Sequence, residues 1–102
     1  MKKIYWILLL LFLTACSSKL VIPSSFDLPK MQVKIPSMTI EKANKGHDLY
    51  VHRCSSCHHL HDPGKFTDNQ WTSILAKMLP KAKVTALTDQ QLITDYLKSL
   101  SK

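Results

Sequence analysis

Apolar and polar residues divide the 102-residue chain into three stretches with different patterns. An unbroken apolar run, 4–13, follows the basic start Met1-Lys2-Lys3. This run is shorter than the roughly 20 residues that a transmembrane helix needs, and it is typical of a secretory signal peptide. The next stretch, 16–40, has three prolines, several serines and no sustained period, so we expect a tether there. Residues 41–102 show helical spacing and are expected to form the folded unit.

A first helix is predicted over residues 41–53, where apolar side chains recur at helical spacing and Thr39 is placed to cap the N-terminus. Gly46 interrupts this helix, and a glycine in a helix interior costs about 1 kcal/mol relative to alanine. We therefore expect a packing reason for Gly46, such as a close crossing with another helix.

Two further helices are predicted toward the C-terminus. The second begins near Asp68, with Thr67 or Asp68 as N-cap, and Pro80 is expected just beyond its end. The last opens at Leu87 with Thr88 as N-cap, and its apolar residues follow helical spacing. Because no segment alternates between apolar and polar residues, the expected fold class is all-α.

The N-terminal run ends in Leu13-Thr14-Ala15-Cys16, which indicates the compartment. A cysteine directly after these residues resembles a bacterial lipobox, which implies cleavage of residues 1–15 as a lipoprotein signal peptide and lipidation of Cys16. Several acyl chains anchor a protein stably where a single one does not. Ser17 stands where an aspartate would resemble the inner-membrane retention signal. We therefore expect an extracytoplasmic, lipid-anchored protein, at the outer membrane if the host has two membranes and facing the periplasm or the cell surface.

Two alternatives for this N-terminus stay open, namely an ordinary signal peptide followed by a chance cysteine, and an uncleaved anchor. The chain is basic, with 14 Lys and Arg against 7 Asp and Glu. Export, and the lack of a basic run interleaved with aromatic residues, argue against nucleic-acid binding. The scattered lysines are either a solvated surface or a weakly basic face that steers an acidic redox partner.

The candidate chemistry is concentrated in Cys54-Ser55-Ser56-Cys57-His58. Two thiols three positions apart, with a histidine directly after the second, match the attachment motif of c-type haem. One turn of chain places both sulfurs within reach of the two haem vinyl groups, and the imidazole then meets the iron. Covalent attachment also retains a cofactor in a domain too small to enclose it.

Two other kinds of site would use the same side chains. A zinc site would draw on Cys54, Cys57 and two of His58, His59 and His61, but no second Cys/His pair follows at the usual distance. A redox-active dithiol would normally lie in a βαβ context, which this chain does not have. Haem attachment is therefore the preferred prediction.

The folded part resembles the monohaem class I cytochromes c. The residues that carry the resemblance are Gly46, Tyr50, the motif from Cys54 to His58, Trp71, Met78, and Tyr96-Leu97. It implies a small class I cytochrome c-type fold of three to four helices around one covalently bound haem c. It also implies that the first and last helices cross near Gly46, with Gly46 and Tyr50 packed against Tyr96.

By the same resemblance, His58 is the proximal ligand of the haem iron and Met78 the distal one. Met78 lies 20 residues after His58, on the helix face that carries Trp71 and Leu75. A thioether suits iron and raises its reduction potential. The other methionines fall in the signal peptide or the expected tether, which leaves Met78 as the candidate; plain core packing is the alternative role.

The resemblance also implies a haem pocket. Pro63 resembles the proline whose carbonyl region accepts the Nδ1–H of the proximal histidine, although Pro63-Gly64 is equally compatible with a simple turn. The side chains expected to line the pocket and keep water from the iron are Phe66, Trp71, Leu75 and Tyr96.

The remaining histidines are weaker candidates. His47 and His52 lie five positions apart on the first predicted helix and are the residual candidates for bis-histidine ligation. His59 and His61 follow His58 too closely to reach the opposite haem face easily, so we expect them to be exposed or to contact haem propionates.

These observations predict an electron carrier rather than an enzyme, because an iron with both axial positions filled has no site for a substrate. It would pass single electrons between a donor and an acceptor redox protein outside the cytoplasm. Two alternatives stay open. One is a five-coordinate haem protein that binds a small gas, acts as a sensor or is a catalyst. The other is a haem subunit of a larger oxidoreductase complex.

Overall fold

The computed structural model describes residues 23–54 and 60–102 of the chain. These ranges contain four α-helices, one short 3-10 helix and no β-strand, which confirms the predicted all-α class. None of the helices in these ranges is long and apolar enough to span a membrane. The elements in chain order are α1 (Leu28–Lys34), α2 (Ile40–Cys54), the 3-10 helix (Pro63–Lys65), α3 (Asp68–Lys81) and α4 (Leu87–Ser99).

Helix α4 is the element on which the others pack. α1, α2 and α3 all contact it, and the crossing with α2 is the most extensive. α4 contributes Ile93, Tyr96 and Leu97 to the core, and each of these is almost fully buried. The apolar stripe predicted for the last helix is therefore its buried face.

The close helix crossing expected at Gly46 is present. A Cβ added at Gly46 would lie 2.5 Å from the Leu92 carbonyl oxygen and 2.5 Å from the Tyr96 Cβ, both on α4. Only a residue without a side chain permits this approach, and this explains a glycine in the middle of α2. The helix also begins as predicted, since the Thr39 hydroxyl accepts a hydrogen bond from the Lys42 backbone N–H at 3.2 Å.

Helix α3 begins as predicted and ends later than predicted. Thr67 and Gln70 form a reciprocal capping box, with the Gln70 N–H donating to the Thr67 hydroxyl and the Thr67 N–H donating to the Gln70 side chain. The expectation that Pro80 lies beyond the helix is wrong, because the helix continues through Pro80 to Lys81. Pro80 is in the last turn, where its missing N–H removes a single bond near the helix end.

The start of α4 also differs from the prediction. Its N-cap is Ala86, which makes no side-chain capping bond, and Thr88 is the second residue of the helix rather than the cap. The connection from α3 is instead held by Gln90, whose side-chain amide donates to the Val84 carbonyl at 2.8 Å. Because Val84 is buried, this bond joins the connection to the core.

Part of the expected tether belongs to the folded unit. Asp27 is the N-cap of α1 and Pro29 occupies its first turn, a combination that starts a helix. Met31 is fully buried and Met38 is 2% exposed, so their assignment to a tether is wrong. The Lys34 ammonium donates to the Ser101 hydroxyl at 2.8 Å and thereby ties α1 to the C-terminal end of the chain. The expected signal peptide, Cys16 and the chain up to residue 22 lie outside the described residues.

Candidate haem-attachment site

The first cysteine of the motif is the last residue of α2. Cys54 is 2% exposed and belongs to the hydrophobic core. The residues predicted to complete the motif, Cys57 and His58, and the neighbouring His59 lie outside the described ranges. The structure therefore fixes where the motif begins and where the chain continues from Leu60 onward.

A tyrosine one helical turn before Cys54 holds the chain that follows the motif. The Tyr50 hydroxyl donates to the His61 carbonyl at 2.7 Å and accepts from the His61 N–H at 3.1 Å. Tyr50 is 5% exposed, so both bonds lie at the edge of the core. The chain therefore leaves α2 at Cys54 and returns to the same side chain at His61, which constrains the ends of the segment that carries the motif.

A tryptophan of α3 holds the same loop at a second point. The Trp71 indole N–H donates to the Pro63 carbonyl at 2.8 Å, in a buried contact. Pro63 opens the 3-10 helix, and the Asp62 side chain caps that helix by accepting from the Gly64 N–H at 2.9 Å. A carbonyl oxygen has two lone pairs, so the bond from Trp71 is compatible with the one expected from His58. The latter stays a prediction, since His58 lies outside the described residues.

Four aromatic rings form a connected cluster beside this loop. The Tyr50 ring lies 6.2 Å from the Trp71 ring and 6.1 Å from the Tyr96 ring, and Phe66 lies 5.2 Å from Trp71. Leu75, one turn after Trp71 on α3, is also buried. The structure thus joins three predicted pocket residues, Phe66, Trp71 and Tyr96, in one cluster with Tyr50. It also confirms the predicted packing of Tyr50 against Tyr96. Their role as a haem pocket stays a prediction.

Burial extends the pH range over which the two tyrosines of this cluster stay neutral. It raises the pKa of Tyr50 from 10.0 to about 12, and it also raises the pKa of Tyr96. The Tyr50 hydroxyl therefore retains its proton near neutral pH, and this proton forms the bond to the His61 carbonyl.

Met78 lies on the expected face of α3. It is half-buried, three residues after Leu75 and seven after Trp71, both of which are buried on the same continuous helix. It therefore lies at the C-terminal end of the buried stripe, one turn beyond Leu75. This placement suits a thioether that contacts a group in the interior, and ligation itself stays a prediction.

The other histidines of the described ranges occupy separate environments. His47 is buried on α2 with its ring 5.8 Å from that of Tyr96, and its Nδ1 lies 3.2 Å from the Asp48 carboxylate. His52 is exposed on the same helix, so the two do not share a face. His61 is half-buried, with its ring 5.2 Å from that of Phe66.

The side chains that the structure describes fit a covalently attached haem. They supply a buried thiol at a helix end, a following loop held at His61 and Pro63, an aromatic cluster beside that loop and a half-buried thioether on α3. The zinc alternative needs Cys57 and at least one of His58 and His59, all of which lie outside the described ranges. Scans of protein-family models, curated proteins and solved structures found no match to this chain.

Proposed function

We propose that this chain is a lipid-anchored class I cytochrome c with one haem, which passes single electrons between extracytoplasmic redox proteins. Cys54 and Cys57 would hold the haem covalently, His58 would be the proximal ligand and Met78 the distal one. The observation that carries the proposal is the Cys-x-x-Cys-His motif starting from a buried cysteine at the end of α2. Bound haem supplies a reversible one-electron change at iron.

The chain's own residues contribute positioning and exclusion of water. Tyr50 and Trp71 hold the loop after the motif through hydrogen bonds to His61 and Pro63, which limits where His58 can lie. A histidine held in one ring orientation would need little rearrangement between the two oxidation states that a bound haem would supply. The buried Trp71 and Leu75 would exclude water between α3 and the cofactor. If His58 and Met78 both bound the iron, no position would be left for a substrate, so we propose an electron carrier and not an enzyme.

The proposal is tested by expressing the full-length chain together with haem-attachment machinery and recording oxidised and reduced absorption spectra. We expect covalent haem and the weak long-wavelength band of ferric iron bonded to a methionine sulfur. Met78→Ala should lose that band and should bind carbon monoxide in the reduced state, because it opens one axial position. Leu79→Ala removes a partly buried neighbour from the same helix and should retain the band.

Three outcomes would contradict parts of this proposal. Haem attached without the methionine band would remove Met78 and favour the five-coordinate or bis-histidine alternatives. A purified protein that contains zinc and no haem would overturn the cytochrome assignment. Co-purification from native membranes in a stable stoichiometric complex would favour the subunit alternative over a free carrier.

Anchoring is tested independently of haem. Cys16→Ser should lose its acyl chains, measured by mass spectrometry, while retaining the haem spectrum. Cys54→Ser should lose thioether attachment at one position while the protein still enters the membrane fraction. The two variants thus separate the membrane role from the redox role.

A further inference from the structure

Two large apolar side chains at the start of the folded unit are exposed, one just before α1 and one within it. Phe26 is 92% exposed and Val33 is 81% exposed. Phe26 lies in the turn that precedes α1, whereas Lys30 and Val33 lie three positions apart on one face of the helix. Met31 is buried on the other side of α1, where it belongs to the core. Phe26 and Val33 are therefore left uncovered by the folded unit, and together with Lys30 they are named the α1 face.

Among the described charged side chains near the α1 face, Asp27 and Lys34 are engaged in other contacts, and Lys30 is exposed. The Asp27 carboxylate accepts from the Ser24 backbone N–H at 3.0 Å and from the Ser24 hydroxyl at 3.2 Å, so it is engaged at the start of the helix. Lys34 is directed to the C-terminal segment through its bond to Ser101. An exposed aromatic ring and a valine beside a lysine suit the boundary of an anionic bilayer, where apolar groups enter the interface and ammonium groups meet phosphate.

The length of chain before α1 restricts this face to the vicinity of the membrane. The first described residue, Pro23, is seven residues from Cys16. Seven residues span at most about 25 Å when fully extended. These seven residues therefore allow the folded unit to move much less far from Cys16 than the 25-residue tether expected from the sequence would. An N-terminus anchored at Cys16 keeps the start of the folded unit, which is α1, near the headgroups.

We propose that Phe26, Lys30 and Val33 form a surface that lies on the anionic lipid bilayer and orients the domain there. This inference rests on the proposed anchoring at Cys16. The acyl chains supply the affinity, and the α1 face selects which side of the domain meets the membrane. Because α1 packs on α4, the whole helical unit takes its orientation from this contact.

The test is photo-crosslinking of the full-length lipidated protein in vesicles of phosphatidylethanolamine and phosphatidylglycerol. A benzophenone amino acid replaces Phe26, which preserves an aromatic side chain, and a matched variant carries it at the exposed Ser73 on α3. We expect about tenfold more lipid adduct at position 26 than at position 73. Equal yields at both positions, or adducts at 26 with a second protein or a second copy of this chain, would overturn the surface.

The charge contribution is tested in the same system. Lys30→Glu should lower the lipid adduct at position 26 about fivefold in anionic vesicles and leave it unchanged in phosphatidylcholine vesicles. Lys77→Glu, on an exposed position of α3, is the control and should have no effect. A protein missing from the vesicle fraction would overturn the anchoring and this surface together. Retention with equal crosslinking at both positions would overturn the surface alone, and the haem spectrum would be unchanged in either case.

Discussion

The region around Cys54 and the region around Met78, two described parts of the proposed haem site, are held very differently. Cys54 is fully inside the core, at the end of a helix that approaches α4 so closely that Gly46 has no room for a Cβ. Met78 is half-buried near the end of α3, shortly before the in-helix Pro80 and the left-handed Lys83.

This difference separates two tasks of a haem protein. Covalent attachment needs a cysteine and a loop in fixed positions, and rigid packing with paired hydrogen bonds supplies them. A distal thioether would need only to reach the iron, which is compatible with the left-handed backbone at Lys83 just beyond α3. We therefore expect changes near Cys54 to affect the free energy of unfolding, and changes near Met78 to affect ligation more than stability.

The largest effect is expected from Gly46→Ala. The added methyl would lie 2.5 Å from two atoms of α4, so the helices must separate, and this overpacking outweighs the better helix propensity of alanine. We expect a loss of about 2–3 kcal/mol in the free energy of unfolding, measured by urea denaturation.

Gly64→Ala is the matched control for this substitution. A Cβ at Gly64 would meet its nearest atoms at 3.4 and 3.6 Å, which are ordinary contact distances. Its stability should therefore change by less than about 1 kcal/mol. Equal losses in the two variants would show that the close crossing at Gly46 does not exclude a side chain there.

A smaller loss is expected from Tyr50→Phe. This change keeps the ring in the cluster but removes the hydroxyl that pairs with both backbone groups of His61. Loss of a hydrogen bond that leaves polar groups unpaired costs about 1–2 kcal/mol. Hydrogen exchange at the His61 amide should become faster, and unchanged protection of this amide would show that the loop is held elsewhere.

The same tyrosine predicts a dependence of stability on alkaline pH. Because burial raises the pKa of Tyr50 from 10.0 to about 12, the folded state resists loss of the proton more than the unfolded chain does. Its contribution is fully present below pH 10 and is lost as the pH rises toward 12. The urea midpoint should fall over this window. Tyr50→Phe should reduce the fall, leaving the share of Tyr96.

The three longer helices could be predicted from the sequence because each carries a strong local signal. Helical spacing and the caps at Thr39 and Thr67 place α2 and α3 within one residue of their starts. The crossing at Gly46 was also predictable, since a glycine in a helix interior is costly without a neighbour. Haem attachment and iron ligation stay predictions, because Cys57 and His58 lie outside the described ranges and the structure gives only the position of Met78 on α3.

Helix α1 was not predicted, because its signal is short. Seven residues give less than two turns of periodicity, and only Met31 among them is buried, so no apolar stripe appears in the pattern. Asp27 followed by Pro29 was the local cue for a helix start. The partners of Tyr50 and Trp71 were also missed, since backbone carbonyls carry no sequence signal and are selected by the tertiary fold.

The smallest expected effect, with the opposite sign, lies on the Met78 side. α3 ends in a Schellman motif, in which the Val84 N–H bonds the Leu79 carbonyl and the Lys83 N–H bonds that of Pro80. Lys83 has a φ of 58°, the left-handed conformation that favours glycine. Lys83→Gly should therefore raise the free energy of unfolding by about 0.5–1 kcal/mol.

Lys81→Gly is the matched control for this change, because it places glycine inside the helix, where the free energy of unfolding should fall by up to about 1 kcal/mol. Each change removes an exposed lysine, and the two positions are two residues apart. The opposite signs of the change in unfolding free energy therefore follow from the backbone conformation at each position. Urea denaturation measures both variants. If Lys83→Gly also destabilised the protein, the lysine side chain itself would be holding the end of α3. The Met78 side would then be fixed by specific contacts, as the Cys54 side is.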